Sequence, residues 1–202
     1  MEYFLTEEQQ MIKELAARIA DEKVAPVALE LDEKAEFPWE LMKILAEADL
    51  FGVWVPEEYG GLGGGVFEQC LVVEELSRAC AAVAVSYAAS ALGGFPILLF
   101  GTGEQKQKYM PAIAAGSKLA AFAVTEADAG SDVSAIRTTA VRDGDYYVLN
   151  GTKQWITNGG EAEIYTVIAM TDPTKGPRGA SAFIVEKGTP GFRFGKKENK
   201  MG

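Results

Sequence analysis

Thr138-Thr139-Ala140-Val141-Arg142-Asp143-Gly144-Asp145-Tyr146-Tyr147-Val148-Leu149-Asn150 holds two short β-prone runs on either side of Asp143-Gly144. Asp-Gly between two such runs is a strong hairpin signal. Strands continue around it. Leu119 to Thr125 is a short apolar run upstream, and Ile164 to Thr171 and Ala182 to Glu186 are apolar, β-branched runs downstream. N-terminal to Leu119 the period changes. Thr6 with Gln9 has capping-box spacing, and Ile12, Leu15, Ala16, Ile19, Val24, Val27, Ala28 and Leu31 then repeat as a helix does, with a kink or break expected at Pro26. Pro38 opens a second helix to about Asp49, a flexible glycine-rich turn spans Gly60 to Gly65, a third helix starts at Val66, and Thr102 with Gln105 caps another that ends near Gly116. Helices followed by strands predict an α+β fold: an all-helical unit over residues 1–118, then a mostly antiparallel, β-barrel-like unit over 119–202.

Composition sets limits on the chemistry. The chain of 202 residues is 48% hydrophobic and 24% charged, which predicts a packed core. A formal charge of -10 disfavours a nucleic-acid partner. There is no histidine, which removes Ser-His-Asp and Cys-His catalysis and any imidazole metal site. Cys70 and Cys80 form no CxxC pair and read as small buried apolar residues, so redox chemistry here would need an organic cofactor. The N-terminus lacks a signal-peptide pattern, and a cytoplasmic location is the expectation. Ala79 to Phe100 is uncharged and about long enough to span a bilayer. It is mostly alanine and is interrupted by Gly93, Gly94 and Pro96, so two buried helical segments are expected instead of a membrane span.

Three glycine- or small-residue segments are candidates for binding. Gly60-Gly61-Leu62-Gly63-Gly64-Gly65 has neither GxGxxG register nor a following Lys-Ser/Thr, and reads as a turn. In Phe122-Ala123-Val124-Thr125-Glu126-Ala127-Asp128-Ala129-Gly130-Ser131-Asp132, Gly130 permits close backbone approach and Ser131 with backbone N–H groups can cradle an anion. Glu126, Asp128 and Asp132 oppose that, and the segment alone reads as a solvated loop. In Leu149-Asn150-Gly151-Thr152-Lys153-Gln154-Trp155-Ile156-Thr157-Asn158-Gly159-Gly160, a tryptophan, a hydroxyl and two glycines can frame a flat aromatic ligand, although a lone tryptophan is more often a core or interface residue.

Taken together, the last two segments resemble the paired flavin-binding stretches of the acyl-CoA dehydrogenase family. The likeness extends to Val55-Pro56-Glu57-Glu58-Tyr59-Gly60-Gly61, Phe183-Ile184-Val185-Glu186 and Lys200-Met201-Gly202, in order along nearly the whole chain. It implies FAD as cofactor, with Phe122, Ala123, Val124 and Thr125 along the isoalloxazine ring and Thr125 bonded to its polar edge. It further implies Gly130 and Ser131 near the pyrophosphate or the bound thioester, Trp155 and Ile156 packed at the flavin, and Thr157 near N5. Phe122 stands where many relatives carry tyrosine. The helix with Tyr87, Ala88 and Leu92 would line part of the acyl pocket, with Tyr87 touching substrate.

The implied activity is oxidation of an acyl-CoA thioester to the 2-enoyl-CoA, with an electron-transfer flavoprotein as partner and a homo-oligomer when complete. An acyl-CoA oxidase, an enoyl-CoA reductase or a flavin oxygenase of the same fold is the alternative, and a non-catalytic FAD- or acyl-CoA-binding or partner-docking module is a further one. In this family the proton-abstracting glutamate belongs to a C-terminal helical domain. No catalytic residue is therefore assigned here, and residues 1–202 alone are expected to be inactive.

Overall fold

The computed structural model describes residues 5–200; Met201 and Gly202, at the end of the last resembling string, lie outside them. Thr6 caps α1 (Glu7–Ile19) reciprocally: Gln9 N donates to Thr6 Oγ1 at 3.2 Å and Thr6 N to Gln9 Oε1 at 3.0 Å. Pro26 disrupts the next turns as expected, through a π-helical stretch at Ala20–Val24 and a 3-10 turn at Ala25–Val27, before α2 (Ala28–Lys34). Helix α3 (Trp39–Glu47) follows Pro38, and α4 (Val66–Ala79) is capped by Glu68, which accepts from Gly65 N at 2.7 Å and also takes Gln9 Nε2 at 2.7 Å, tying α4 to α1. The turn before α4 packs closely at Gly61, where a Cβ would lie 2.0 Å from Val55 O.

Extended backbone at Cys80 separates α4 from α5 (Ala81–Phe100), after which Thr102 and Gln105 cap α6 (Gly103–Ala114). Gly93, Gly94 and Pro96 do not divide α5 as their local propensity predicts. It is one 20-residue helix, because those residues serve packing. A Cβ on Gly93 would stand 2.6 Å from Ala121 N, and one on Gly94 would stand 2.6 Å from the Trp54 ring. By length and composition α5 could cross a membrane, yet half of its most apolar window is buried within the protein. Cys70, expected to be buried, is exposed, and Cys80 is half-buried.

The strands are β1 (Ala120–Ala123), β2 (Thr139–Asp143), β3 (Tyr146–Asn150), β4 (Ile164–Met170) and β5 (Ala180–Glu186). The hairpin between β2 and β3 pairs Asp143 with Tyr146, so its two turn residues are Gly144 (φ 59°) and Asp145, one place later than the Asp-Gly signal suggests. The α+β class holds, but the sheet is mixed and is not a closed barrel. Strands β2–β3 and β4–β5 pair antiparallel, whereas β1–β4 and β2–β4 are parallel. Short β1 ends at Ala123, and β2 reaches the same side of β4 only at Thr139, opposite Met170.

One hydrophobic core joins helices and sheet. Leu45, Phe51, Trp54, Tyr87, Ile97, Met110 and Ile113 continue into Ala120, Ala121, Ile164 and Tyr165. Helix α5 lies across β1 and β4 on a face of small residues at helical spacing. Ser90 Oγ accepts from Ala120 N at 3.3 Å, and Gly93 O accepts from Thr166 Oγ1 at 2.7 Å. Gly93→Ala should therefore destabilise by about 1–3 kcal/mol through overpacking, although alanine is the better helix former by about 1 kcal/mol. Urea unfolding measures this, and an unchanged or raised midpoint would contradict the close approach.

Candidate functional site

Strand β1 runs out at Ala123 into a turn closed by Glu126 and Ala129, whose backbones exchange hydrogen bonds of 3.0 and 3.1 Å. Against this end lies the loop that follows β3. Gln154 N donates to Thr125 O at 3.0 Å, and Lys153 Nζ donates to Val124 O at 3.0 Å and to Glu126 Oε1 at 2.7 Å. Farther along, Asn158 Nδ2 donates to Ser86 O on α5 at 2.9 Å and to Ala120 O on β1 at 3.4 Å. Two segments about thirty positions apart in sequence are thus fastened side by side at three points.

Phe122, Val124, Thr125, Ile156 and Thr157 are half-buried, Ala123 is buried, and Gly130, Ser131 and Trp155 are exposed. Trp155 is 69% exposed and has φ 56°, and Asn158 has φ 63°. A bulky side chain at positive φ costs about 1–2 kcal/mol, so the surroundings must hold Trp155 there. Among the described residues, the hydroxyls of Thr125, Ser131 and Thr157 have no side-chain hydrogen-bond partner, whereas buried Thr166 and Tyr165 have theirs. A Cβ on Gly130 would meet nothing within 4 Å, so the backbone is open to close approach there.

Tyr87 stands apart from this group. It is 1% exposed, its ring centroid is 5.1 Å from that of Phe51, and its hydroxyl lies 2.7 Å from Leu50 O and 3.0 Å from Gln69 Oε1. Burial pushes its pKa far up. The expected contact with substrate is not open to so enclosed a side chain; Tyr87 belongs to the core. Leu92 on the same helix is exposed and Ala88 is half-buried.

Glu126 is the residue whose role the sequence conceals. Its side chain and that of Lys153 are each 8% exposed. Burial alone would raise the carboxyl pKa, but Lys153 and the backbone N–H groups of Arg137 (2.7 Å) and Thr138 (3.0 Å) outweigh it and hold the group at about 2. The negative charge in this turn thus points inward and is neutralised, while Asp128 meets Arg137 at 3.3 Å on the surface. Two of the three carboxylates that oppose an anion here are therefore paired. Neither the Glu126–Lys153 pair nor the bridging role of Asn158 carries a sequence signal beyond membership in the resembling strings.

A cleft of about 290 Å³ is lined by Lys108, Lys118, Glu163 and Lys187, none of them a candidate residue of the paired segments.

The comparisons with known proteins identify the family. Residues 6–117 match the family model of the acyl-CoA dehydrogenase N-terminal domain, and residues 121–202 match that of the acyl-CoA dehydrogenase middle domain. The chain belongs to the acyl-CoA dehydrogenase family. An acyl-CoA dehydrogenase of Bacillus subtilis (strain 168) is 47% identical over 199 residues, covering 98% of this chain and 52% of that protein. The acryloyl-CoA reductase (NADH) of Anaerotignum propionicum is 46% identical over 204 residues, covering all of this chain and 52% of that protein. Among solved structures, a chain of the Acidaminococcus fermentans electron transferring flavoprotein structure superposes with a TM-score of 0.95 at 50% identity, over 100% of this chain and 53% of its own. A Bacillus anthracis acyl-CoA dehydrogenase complexed with FAD gives 0.88 at 40% identity, over 98% of this chain and 34% of its own. The chain thus spans about half the length of the curated relatives it matches.

The Glu126 pair predicts a pH dependence. A carboxyl held at about 2 against an ordinary 4.5 adds stability that is present above pH 4.5 and is lost as the pH falls toward 2. A shift of that size corresponds to about 3 kcal/mol. Glu126→Gln should lower stability at pH 7 by about that much and flatten the acid limb between pH 4.5 and 2. Denaturant unfolding across that range checks it; an acid limb identical to wild type would contradict it.

Proposed function

We propose that this chain is the FAD-binding part of a cytoplasmic acyl-CoA dehydrogenase, made of a helical unit over residues 1–118 and a β unit over 119–202. The observations that carry the reading are three hydroxyls without a side-chain partner, of Thr125, Ser131 and Thr157, and an exposed Trp155, on two segments that Lys153, Gln154 and Asn158 fasten together. The residues present fit a flavin. Half-buried Phe122, Val124 and Ile156 offer apolar contact to a ring, Trp155 offers an aromatic surface, and Thr125 and Thr157 offer donors to its polar edge. Exposed Gly130 and Ser131 suit a phosphate or the thioester chain. These residues would hold FAD, which would supply a hydride acceptor for the substrate β-carbon.

The protein's own part in that reaction is positional and electrostatic. Fixed hydroxyl donors stabilise negative charge as it develops, without reorganising during the reaction. No carboxylate of this face suits proton abstraction: Glu126 is held ionised by three donors, and a base with a pKa of about 2 is a poor acceptor at neutral pH. We therefore assign the base to residues outside this chain, and residues 1–202 alone should not turn over. The exposed stripe Val85, Leu92 and Leu99 on α5, at seven-residue spacing, with Phe100 beyond it, suits a further helical surface, from the same polypeptide or a second copy. An electron-transfer flavoprotein is the proposed redox partner.

A second reading shares the same face. The similarity to an acryloyl-CoA reductase (NADH) favours an enzyme working in the reducing direction on a short 2-enoyl-CoA. Anaerobic mixing of the oxidised enzyme with saturated acyl-CoA, against mixing of the reduced enzyme with enoyl-CoA, separates the two by rate.

Thr157→Ala tests the site. Loss of a buried donor to developing charge costs about 3 kcal/mol, or a hundredfold. Stopped-flow should show flavin reduction by acyl-CoA slowed by about that factor, with substrate affinity little changed. An unchanged rate would remove Thr157 from the site.

A further inference from the structure

We propose that the buried Lys153–Glu126 pair is a latch that positions Trp155 and Thr157 against the end of β1, and that Lys153 is a positioning residue for the flavin face. The inference rests on the flavin reading only for what the latch serves. Lys153 lies two residues before Trp155, and its ammonium is divided between the carbonyl of Val124 and the carboxylate of Glu126. Those two acceptors flank Thr125, whose own carbonyl takes Gln154 N. Lys153 can satisfy both only when its loop lies alongside residues 124–126. The pair is 8% exposed on both sides, so water cannot readily replace either partner.

Stability alone does not explain why a pair stands here. Well-packed apolar residues in place of a buried ion pair are often as stable or more so, whereas removal of one partner strands a buried charge. An apolar pair, however, has no direction and would tolerate a slid loop. The ammonium donates to two fixed acceptors and does not tolerate sliding. The backbone at Trp155 is an independent sign of the same constraint. Its φ of 56° is unfavourable for a bulky residue and persists only where the flanking chain is held. Lys153 and Gln154 hold it on one side; Asn158, itself at φ 63° and anchored to Ser86 O and Ala120 O, holds it on the other.

Glu126 also accepts from Arg137 N and Thr138 N. The latch therefore carries the start of β2 along with the tryptophan loop, and one carboxylate organises three separate stretches of chain: 124–126, 137–138 and 153–155.

The test uses the holoprotein and three variants: Lys153→Met, Lys153→Arg and the double variant Glu126→Gln with Lys153→Met. The readouts are hydrogen exchange at Gln154, Arg137 and Thr138, exchange at the β4 amides of Ile164–Met170, the unfolding midpoint, and FAD affinity by titration of the stripped protein. Lys153→Met should lose protection at Gln154, Arg137 and Thr138 and weaken FAD by about tenfold or more, while the β4 amides stay protected. Lys153→Arg, which can still donate to both acceptors, should recover most of the FAD affinity. The double variant, whose glutamine oxygen can still accept from Arg137 N or Thr138 N, should recover part of the midpoint lost in Lys153→Met without regaining FAD affinity, which a merely structural pair would not do. The proposal is overturned if Lys153→Met keeps wild-type protection at Gln154, if all amides lose protection together, or if the double variant binds FAD as wild type does. Should the wild-type protein bind no FAD, the flavin reading fails by itself, and the exchange data still decide whether the latch exists.

Discussion

Helix α5 meets strand β1 at a distance that only a hydrogen on the Cα of Gly93 permits, since a Cβ there would stand 2.6 Å from Ala121 N. The contact is made of backbone and small polar groups. Ser90 takes Ala120 N and Gly93 O takes the Thr166 hydroxyl, so the helix is fixed along and across the sheet without a large side chain between them. From this contact the other parts follow in order. Strand β1 is seated with β4 beside it, its end at Ala123 presents Val124 to Glu126, and Lys153, Gln154 and Asn158 bring the tryptophan loop to that end and to α5. The candidate flavin face is thus referenced to the helical core, not to the sheet alone.

Local chemistry was legible in the sequence wherever a few neighbouring residues decide the outcome. Both capping boxes, the irregular turns around Pro26 and the β2–β3 hairpin follow from short-range rules, and each is found. The paired segments at Phe122 and Trp155 were recognised through a family likeness; their physical joining by Gln154 N and Lys153 Nζ could not be read from composition or period. The misreadings have a common cause. Gly93, Gly94 and Pro96 look like helix breakers in isolation, yet the penalty for glycine is small beside a close helix–sheet contact. Tyr87 lies on the helix expected to line a pocket, but its ring faces inward and its hydroxyl finds Leu50 O. The sheet became mixed because β4 receives β1 and β2 in parallel beside antiparallel β5, and the distant pairings Ala120 with Ile164 and Thr139 with Met170 are specified by no local pattern.

Electrostatics separates the residues that build the face from those that could act on it. A carboxylate in a binding turn invites a catalytic role, and Glu126 has the burial such a role would want. It is nonetheless surrounded by donors that favour its charged form, which is the opposite of the environment that raises a general base toward neutrality. The hydroxyls of Thr125, Ser131 and Thr157 are the reverse case: half-buried or exposed, with no side-chain partner among the described residues, and so available to a ligand.

The central claim is that the face carrying Trp155 receives the flavin. The direct measurement is tryptophan emission of the stripped protein during titration with FAD, in wild type and in Trp155→Phe, because a flavin against an indole quenches it and a distant one does so weakly. Trp54 is buried in the helical core and Trp39 packs at Phe37, so the difference between the two titrations isolates Trp155. The emission lost on FAD binding should be largely the component missing from Trp155→Phe. Stoichiometric FAD binding that leaves the Trp155 component unquenched would contradict it.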